Sequence, residues 1–292
     1  MFILDNSITQ LPKNHLPKVI GFVPAFNSEK FILRTLEALA NQTYQNFEIW
    51  ICDDASTDAT SRICRNYCEE DPRFKFFHNE QNQGWWNTSL RFWSTCAELS
   101  DYCFFHPHDD IPDPDFIFDQ VNLLEQNPDA TLCVPGIRNT HFDGRSSETI
   151  HSELGVSSRL SKRIVPLVKW EMTDWWAAYH GIHRSKFIPK VLPVKPLRFG
   201  EKEFALDLIW LIKMASQGPF VCADRILFEK NYSQKTLSGQ WKYNFINRSA
   251  VYLAMAEEVI KMSLPISEKS AILNAIVQKA AASIGNKIKL SK

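Results

Sequence analysis

The sequence predicts an α/β fold built on a parallel sheet, and three observations predict it. Short β-branched or aromatic runs alternate with segments of helical periodicity through the first 126 residues. Three of those runs end in polar or acidic clusters: Pro24-Ala25-Phe26-Asn27-Ser28-Glu29, Asp53-Asp54-Ala55-Ser56-Thr57-Asp58 and His108-Asp109-Asp110-Ile111. The connections between them are long enough for right-handed crossovers. In an open sheet of this kind ligands bind outside the carboxyl ends of the strands.

The elements follow in order. Lys18–Phe26 reads as a buried strand, Asn27-Ser28-Glu29 as a cap, and Phe31, Leu33, Leu36 and Leu39 as a helix running to Gln42. Phe47–Cys52 is the second strand and Ala59–Glu69 its helix, with Ser56 or Asp58 as cap. Phe74–His78 is the third strand. The Asn82-Gln83-Gly84 turn then leads into a helix over Trp86–Leu99. Tyr102–Phe105 is the fourth strand, Phe116–Gln126 a helix and Ala130–Gly136 a strand. Residues 138–165 read as a polar, irregular, mobile loop. Glu203–Gln217 reads as an amphipathic helix capped by Gly218, followed by a strand over Phe220–Phe228 and helices over 242–262 and 267–289. This divides the chain into an N-terminal leader (1–17), two halves of one domain (18–112 and 113–235) and a C-terminal helical appendage (236–292).

Thirty-three basic and thirty-three acidic side chains leave no net charge, which argues against bulk nucleic-acid binding. The seven cysteines show no paired Cys-x-x-Cys spacing, so neither a disulfide framework nor a zinc site is expected. Free thiols fit a reducing cytoplasm. The first residues lack the basic stretch of a signal peptide, and no apolar run reaches the roughly 18 residues of a membrane span.

Two acidic pairs stand at strand ends. Asp53 and Asp54 offer acceptors for a nucleobase imide or ribose hydroxyls; equally, such residues cap turns and helices. Asp109 and Asp110 suit a hard divalent cation, which binds through one or two carboxylates plus substrate phosphates, and His108 could orient it; the alternative is again a loop cap, before Pro112.

Taken together, Pro24–Glu29, Gln42-x-Tyr44, Phe47-Glu48-Ile49, Asp53–Asp58, Asn82-x-Gly84 with Asn87, and the acidic motif after Phe105 resemble the inverting glycosyltransferases of family 2. The resemblance spans roughly residues 18–235 and leans to the rhamnosyltransferase-like branch. It implies the GT-A fold: a Rossmann-like nucleotide-sugar-binding sheet flanked by helices. It also implies transfer of a sugar from a UDP-, GDP- or dTDP-linked donor to a carbohydrate, lipid-linked or small-molecule acceptor, as in surface polysaccharide biosynthesis. In that pattern Pro24, Ala25 and Phe26 with Asp54 hold the nucleobase. Asp53 lies beside it, Glu29 and His108 border the nucleotide, and Asn87 is near the ribose and phosphate. Asp109, with Asp110, holds Mn²⁺ or Mg²⁺. One position departs: Pro107 stands where the family carries the first metal-motif acid.

The same resemblance places a general base, the Asp of a Glu-Asp pair, about a dozen residues before a glycine. Counting back from Gly218 through Trp210 gives Asp207, with Leu206 in place of the Glu; Glu203 is the second candidate and Glu201 the third. Trp175, Trp176 and His180 fall where the family binds acceptor, and core packing is the competing role for that Trp-rich run. The chain lacks a Gly-rich, basic phosphate loop after its first strand, which disfavours a nucleotidyltransferase. Lys279, Lys287, Lys289 and Lys292 make the last helix basic, suiting a solvated face, a homodimer contact or an anionic membrane at the inner face.

Overall fold

A computed structural model describes residues 16–232 and 242–290, with the side chains of the last helix described as far as Ser283. The expected leader 1–17 lies almost wholly outside the described residues.

Four parallel strands form the first half of the sheet: β1 (Val19–Ala25), β2 (Phe47–Asp53), β3 (Phe74–His78) and β4 (Tyr102–Phe105). They stand in the order β3-β2-β1-β4, joined by α1 (Ile32–Ala40), α2 (Thr60–Glu70) and α3 (Trp85–Leu99). β1 is central, buried at every residue and rich in Val, Ile and Phe, as a strand covered on both faces must be. Its Pro24 is tolerated because pairing with β4 ends at Phe22, so no ladder bond is forfeited on that side.

Beyond β4 the sheet continues through β8 (His183–Arg184), β6 (Leu132–His141), β9 (Phe220–Tyr232) and β5 (Ile111–Pro112), and β7 (Ser146–Thr149) pairs with β6. β8 runs antiparallel to both β4 and β6, so β6 and its parallel partner β9 point the same way as β1–β4. The carboxyl ends of all these long strands therefore open on one edge of the sheet. α4 (Phe116–Gln126), α5 (Leu160–Lys169), the short α6 (Ile188–Val191), α7 (Leu206–Gln217), α8 (Phe245–Lys261) and α9 (Ile266–Leu290) complete the fold.

Three expectations are corrected. Residues 138–165 are not an irregular loop: β6 runs on to His141, turns at Asp143-Gly144 into β7, and α5 begins at Leu160. Polar side chains hid a hairpin that is exposed on most of β7. Glu203 is not helical; α7 starts at Leu206, after Ala205 in the left-handed region (φ 51°). Gly218 ends α7 in an extended conformation rather than a left-handed cap. What requires glycine there is space, since a Cβ would lie 2.6 Å from the Asp129 carbonyl oxygen.

The core beneath the open edge is aromatic. Trp93 stacks on Trp210 at 4.6 Å and donates from Nε1 to the Tyr179 hydroxyl at 2.9 Å. Trp210 Nε1 donates to His183 Nε2 at 3.1 Å, so these buried rings keep their polar atoms bonded. Trp85, Trp86 and Tyr179 join the same cluster.

Candidate active site

At the exit of β2 the two aspartates have separate structural employments. Asp53 is fully buried; Oδ2 accepts from His78 Nδ1 at 3.0 Å and Oδ1 from the Ser56 amide at 3.2 Å. A carboxylate only accepts, so Nδ1 of His78 carries the hydrogen. Asp54 accepts three N–H bonds, from the Asn79 side chain at 2.6 Å, the Gln83 amide at 2.9 Å and the Gly84 amide at 2.9 Å. It thereby caps α3 from outside, where the helix N-terminus favours negative charge. Glu29, expected beside the nucleotide, spends Oε2 on the Ala59 amide at 3.0 Å ahead of α2, while its own amide donates to Asp58 at 3.2 Å. It caps α2 with this one oxygen and is exposed.

Pro24 and Ala25 are buried in β1, and the Ala25 carbonyl accepts from the Asp54 amide at 2.8 Å. Phe26 follows, 44% exposed at the strand's mouth. At the exit of β3 a cleft of about 530 Å³ is lined by His78, Asn79, Gln81, Gln83, Asn87 and Arg91 among others. Asn87 therefore sits on this cleft, tied to the Gln83 carbonyl at 3.0 Å. Arg91 is braced by Asn79 Oδ1 at 2.7 Å and the Cys52 sulfur at 3.3 Å. The sequence had singled out neither His78 nor Arg91, since neither belongs to a recognisable run.

The loop after β4 is held on two sides. The Thr35 hydroxyl donates to the His108 and Asp110 carbonyls, each at 3.0 Å. Arg34 and the Asn231 side chain donate to the Asp109 carbonyl at 3.4 and 3.2 Å. His108 Nδ1 meets the Pro24 carbonyl at 3.3 Å, which ties this loop to β1.

Within that loop the two acids differ. Asp110 is fully buried, with Oδ1 accepting from the Asn231 amide at 2.8 Å and Oδ2 paired with Lys230 Nζ at 3.1 Å. It pins the loop to β9, and both of its oxygens already have protein partners. The Asp109 carboxylate is half-buried and has no hydrogen-bond partner among the described residues. Lys230 lies over the rings of Trp176 at 5.4 Å and Tyr232 at 5.6 Å. No sequence signal marked this lysine, since its partner is 120 residues away.

A hard divalent cation needs oxygen ligands. Among the described residues no group of three or more His, Cys, Asp or Glu converges. One free carboxylate meets the minimum for a cation that draws its other oxygens from a diphosphate and water. The fit is to Asp109 alone.

Opposite this loop, Asp207 opens α7. Its Oδ1 accepts from the Leu208 amide at 3.0 Å. Burial pushes its carboxyl up to about 6, against the opposing pull of that amide and of Lys230. Glu203 stands before the αL residue and faces Gly84, whose φ is +81° and whose Cβ, if present, would lie 2.9 Å from Glu203 Oε1. Burial raises the Glu203 carboxyl, and Asp54 adds to the rise.

Trp175 and Trp176 are half-buried in a 3₁₀ turn, Trp175–His180. Asp174 anchors the turn, accepting from Thr149 Oγ1 at 2.8 Å and Asn139 Nδ2 at 3.0 Å. His180 is packed among aromatic rings. It is 8% exposed, stacks on Phe228 at 5.2 Å and meets Phe105 and Trp176 edge or tilted, and burial drives its pKa well down.

Comparisons with known proteins give the family and the architecture. The chain is 26% identical over 245 residues to a chondroitin synthase of Escherichia coli, covering 79% of this chain and 32% of that one. It is 34% identical over 117 residues to the putative glycosyltransferase EpsH of Bacillus subtilis, covering 40% of this chain and 33% of that one. It thus spans about a third of these relatives' length. The S. aureus TarS 1–349 structure in complex with UDP-GlcNAc superposes with a TM-score of 0.67 at 18% identity, covering 90% of this chain and 72% of that one. The Pyrobaculum calidifontis mannosyltransferase PcManGT in complex with GDP-Man and Mn²⁺ gives 0.58 at 15% identity, covering 94% and 76%. These likenesses establish the GT-A architecture. The model for glycosyl transferase family 2 matches residues 22–188, more than half of the chain, and it is to that family that the chain belongs.

Proposed function

We propose that this chain is an inverting glycosyltransferase that moves a sugar from a nucleoside diphosphate to an acceptor hydroxyl. The observation that carries the reading is that two acids stand on one open edge of the sheet: Asp109 at the β4 exit, without a carboxylate partner among the described residues, and Asp207 at the start of α7, with only one oxygen bonded, to the Leu208 amide. The polar cleft at the β3 exit lies three strand spacings from the β4 exit, roughly 14 Å, a span that an extended nucleoside diphosphate covers. The base and ribose take the cleft side, near His78, Asn87 and Phe26. The diphosphate takes the Asp109 side, where a divalent cation, when bound, would neutralise charge on the leaving group.

The chain's own residues account for the rest. The acceptor oxygen attacks the anomeric carbon from the face opposite the diphosphate. The bond from that carbon to the phosphate oxygen breaks, the nucleoside diphosphate leaves, and the hydroxyl proton passes to Asp207. A carboxyl raised toward 6 is the better base near neutrality, because proton transfer to it is less uphill than to an ordinary aspartate. Trp175 and Trp176 offer flat surfaces on the acceptor side. Of the Asn82, Gly84 and Asn87 run, Asn87 lines this cleft, and the rhamnosyltransferase-like branch is part of the proposal. The division into halves 18–112 and 113–235 with a helical appendage is part of the same reading. Among the described residues no helix is long and apolar enough to cross a membrane.

The test is turnover of UDP-, GDP- and dTDP-sugars with Mn²⁺ by the wild type, Asp109→Ala and Asp207→Asn. Loss of turnover in both variants, with nucleotide binding retained by Asp207→Asn, supports the proposal. A second reading, a catalytically weak partner subunit of the same fold, draws on Pro107 and on the neutralised Asp110. Wild-type nucleotide binding without turnover of any donor would favour it.

A further inference from the structure

We infer that Glu203 is a specificity-determining residue that accepts a hydrogen bond from a hydroxyl of the donor sugar. The inference rests on the transferase reading and assigns Glu203 to the donor rather than to the proton transfer.

The placement of the side chain separates it from the base. Glu203 and Asp207 are four residues apart, but they do not share a helical face, because Ala205 breaks the backbone in the left-handed region and α7 begins only at Leu206. Glu203 is turned to Gly84, at the start of α3 and beside the β2 exit. The electrostatic surroundings of the two acids differ: Asp54 acts on Glu203, whereas Asp207 acts on Tyr179 and Tyr243 and is itself acted on by Lys230. Gly84 follows Gln83, which lines the cleft at the β3 exit, so Glu203 stands beside the donor side of the proposed site and a donor sugar held there would bring its hydroxyls near this carboxylate.

The second point is that Glu203 lacks a donor. The N–H groups around it are spoken for: the Gly84 and Gln83 amides and the Asn79 side chain all donate to Asp54. Glu203 has no hydrogen-bond or ion-pair partner among the described residues, although it is half-buried. A carboxylate withdrawn from water without donors is costly, and the cost falls when a ligand brings O–H groups to it. The site does not suit a cation, since Asp54, the nearby acid, already accepts three N–H bonds. Gly84 completes the arrangement. A side chain there would collide with Oε1, so the glycine at this turn leaves the carboxylate room next to Gln83.

The experiment measures dissociation constants for UDP, GDP and dTDP, each free and each carrying a hexose, on the wild type, Glu203→Gln and Glu203→Ala. Melting temperatures show that each variant is folded. Expected is an unchanged constant for the free nucleotide, within about twofold, and an affinity for the matching nucleotide sugar weakened by about ten- to a hundredfold, the size of one charge-assisted hydrogen bond. Three results overturn the inference while leaving the transferase reading standing. These are a wild type that binds free and sugar-bearing nucleotide equally, a Glu203→Gln variant that binds nucleotide sugar as the wild type does, and equal weakening for free nucleotide and nucleotide sugar. A wild type that binds none of the six ligands overturns both.

Discussion

Replacing Lys230 with methionine tests how the acidic loop is held. The substitution keeps the stem that lies against Trp176 and Tyr232 and removes the ammonium that pairs with Asp110 at 3.1 Å. Asp110 is 0% exposed and the Lys230 side chain 12%, so the carboxylate left behind cannot turn to water. Removing one member of a buried pair costs about 3–5 kcal/mol. The Asn231 amide still donates to Asp110 at 2.8 Å, which puts the expectation at the lower end, about 3 kcal/mol. That is a large share of the roughly 5–15 kcal/mol that holds a typical protein folded. In a chain of 292 residues it corresponds to a fall in melting temperature of roughly 5 °C. Denaturant unfolding of Lys230→Met, Asp110→Asn and the double variant is the assay. The double variant should recover most of the loss, because no buried charge is left unpaired. A single variant that loses less than about 1 kcal/mol, or a double variant no better than Lys230→Met, would refute the reasoning.

Asp207→Asn should abolish transfer with little change in donor affinity. In the wild type, kcat should rise with pH through about 6 and then level off, because burial raises the carboxyl to about that value and only its deprotonated form takes the proton; a rate flat from pH 5 to 8 would speak against Asp207 as base. Asp54→Asn should cost about 1–3 kcal/mol and weaken nucleotide binding, since an amide cannot accept all three N–H bonds that now converge on the carboxylate. Burial lowers the pKa of His106 to about 4 and of His183 to about 3, and lowers that of His180 as well. Unfolded imidazoles take up protons near pH 6.5 while the buried ones do not. Stability is therefore full above 6.5 and declines as pH falls toward 4, and His180→Phe should flatten that decline in denaturant titrations.

The parallel half of the fold was legible because its signals are local. β3, β4 and α4 begin and end where the apolar runs and proline breaks put them, and β1, β2 and α1–α3 lie within two or three residues of the expected bounds. The second half was less so. β7 carries Ser, Ser, Glu and Thr, polar residues of an exposed hairpin arm, and no apolar alternation announces it. The site was legible in its motif acids but not in their tasks. A sequence shows that Asp109 and Asp110 are adjacent; it does not show that Lys230, on a strand 120 residues later, is aimed at one of them. Likewise the Trp-rich run around His180 reads equally as acceptor surface or as core, and only the structure shows that Phe228 stacks on this ring.

That difference between motif and task has a physical logic. An acid at a strand exit meets two demands, backbone amides that need acceptors and ligands that need charge, and one carboxylate seldom serves both. Asp53, Asp54 and Asp110 are buried and answer the first demand, each fixing a loop on which the site is built. Asp109 and Glu203 are half-buried without partners among the described residues, and Asp207 gives only one oxygen to its own helix, so these three are left for the second. The consequence is a ranking that mutation can check. Asparagine or glutamine at the first group should register chiefly in stability and at the second chiefly in ligand binding or turnover, because the energy each carboxylate contributes is already spent in one case and still to be realised in the other.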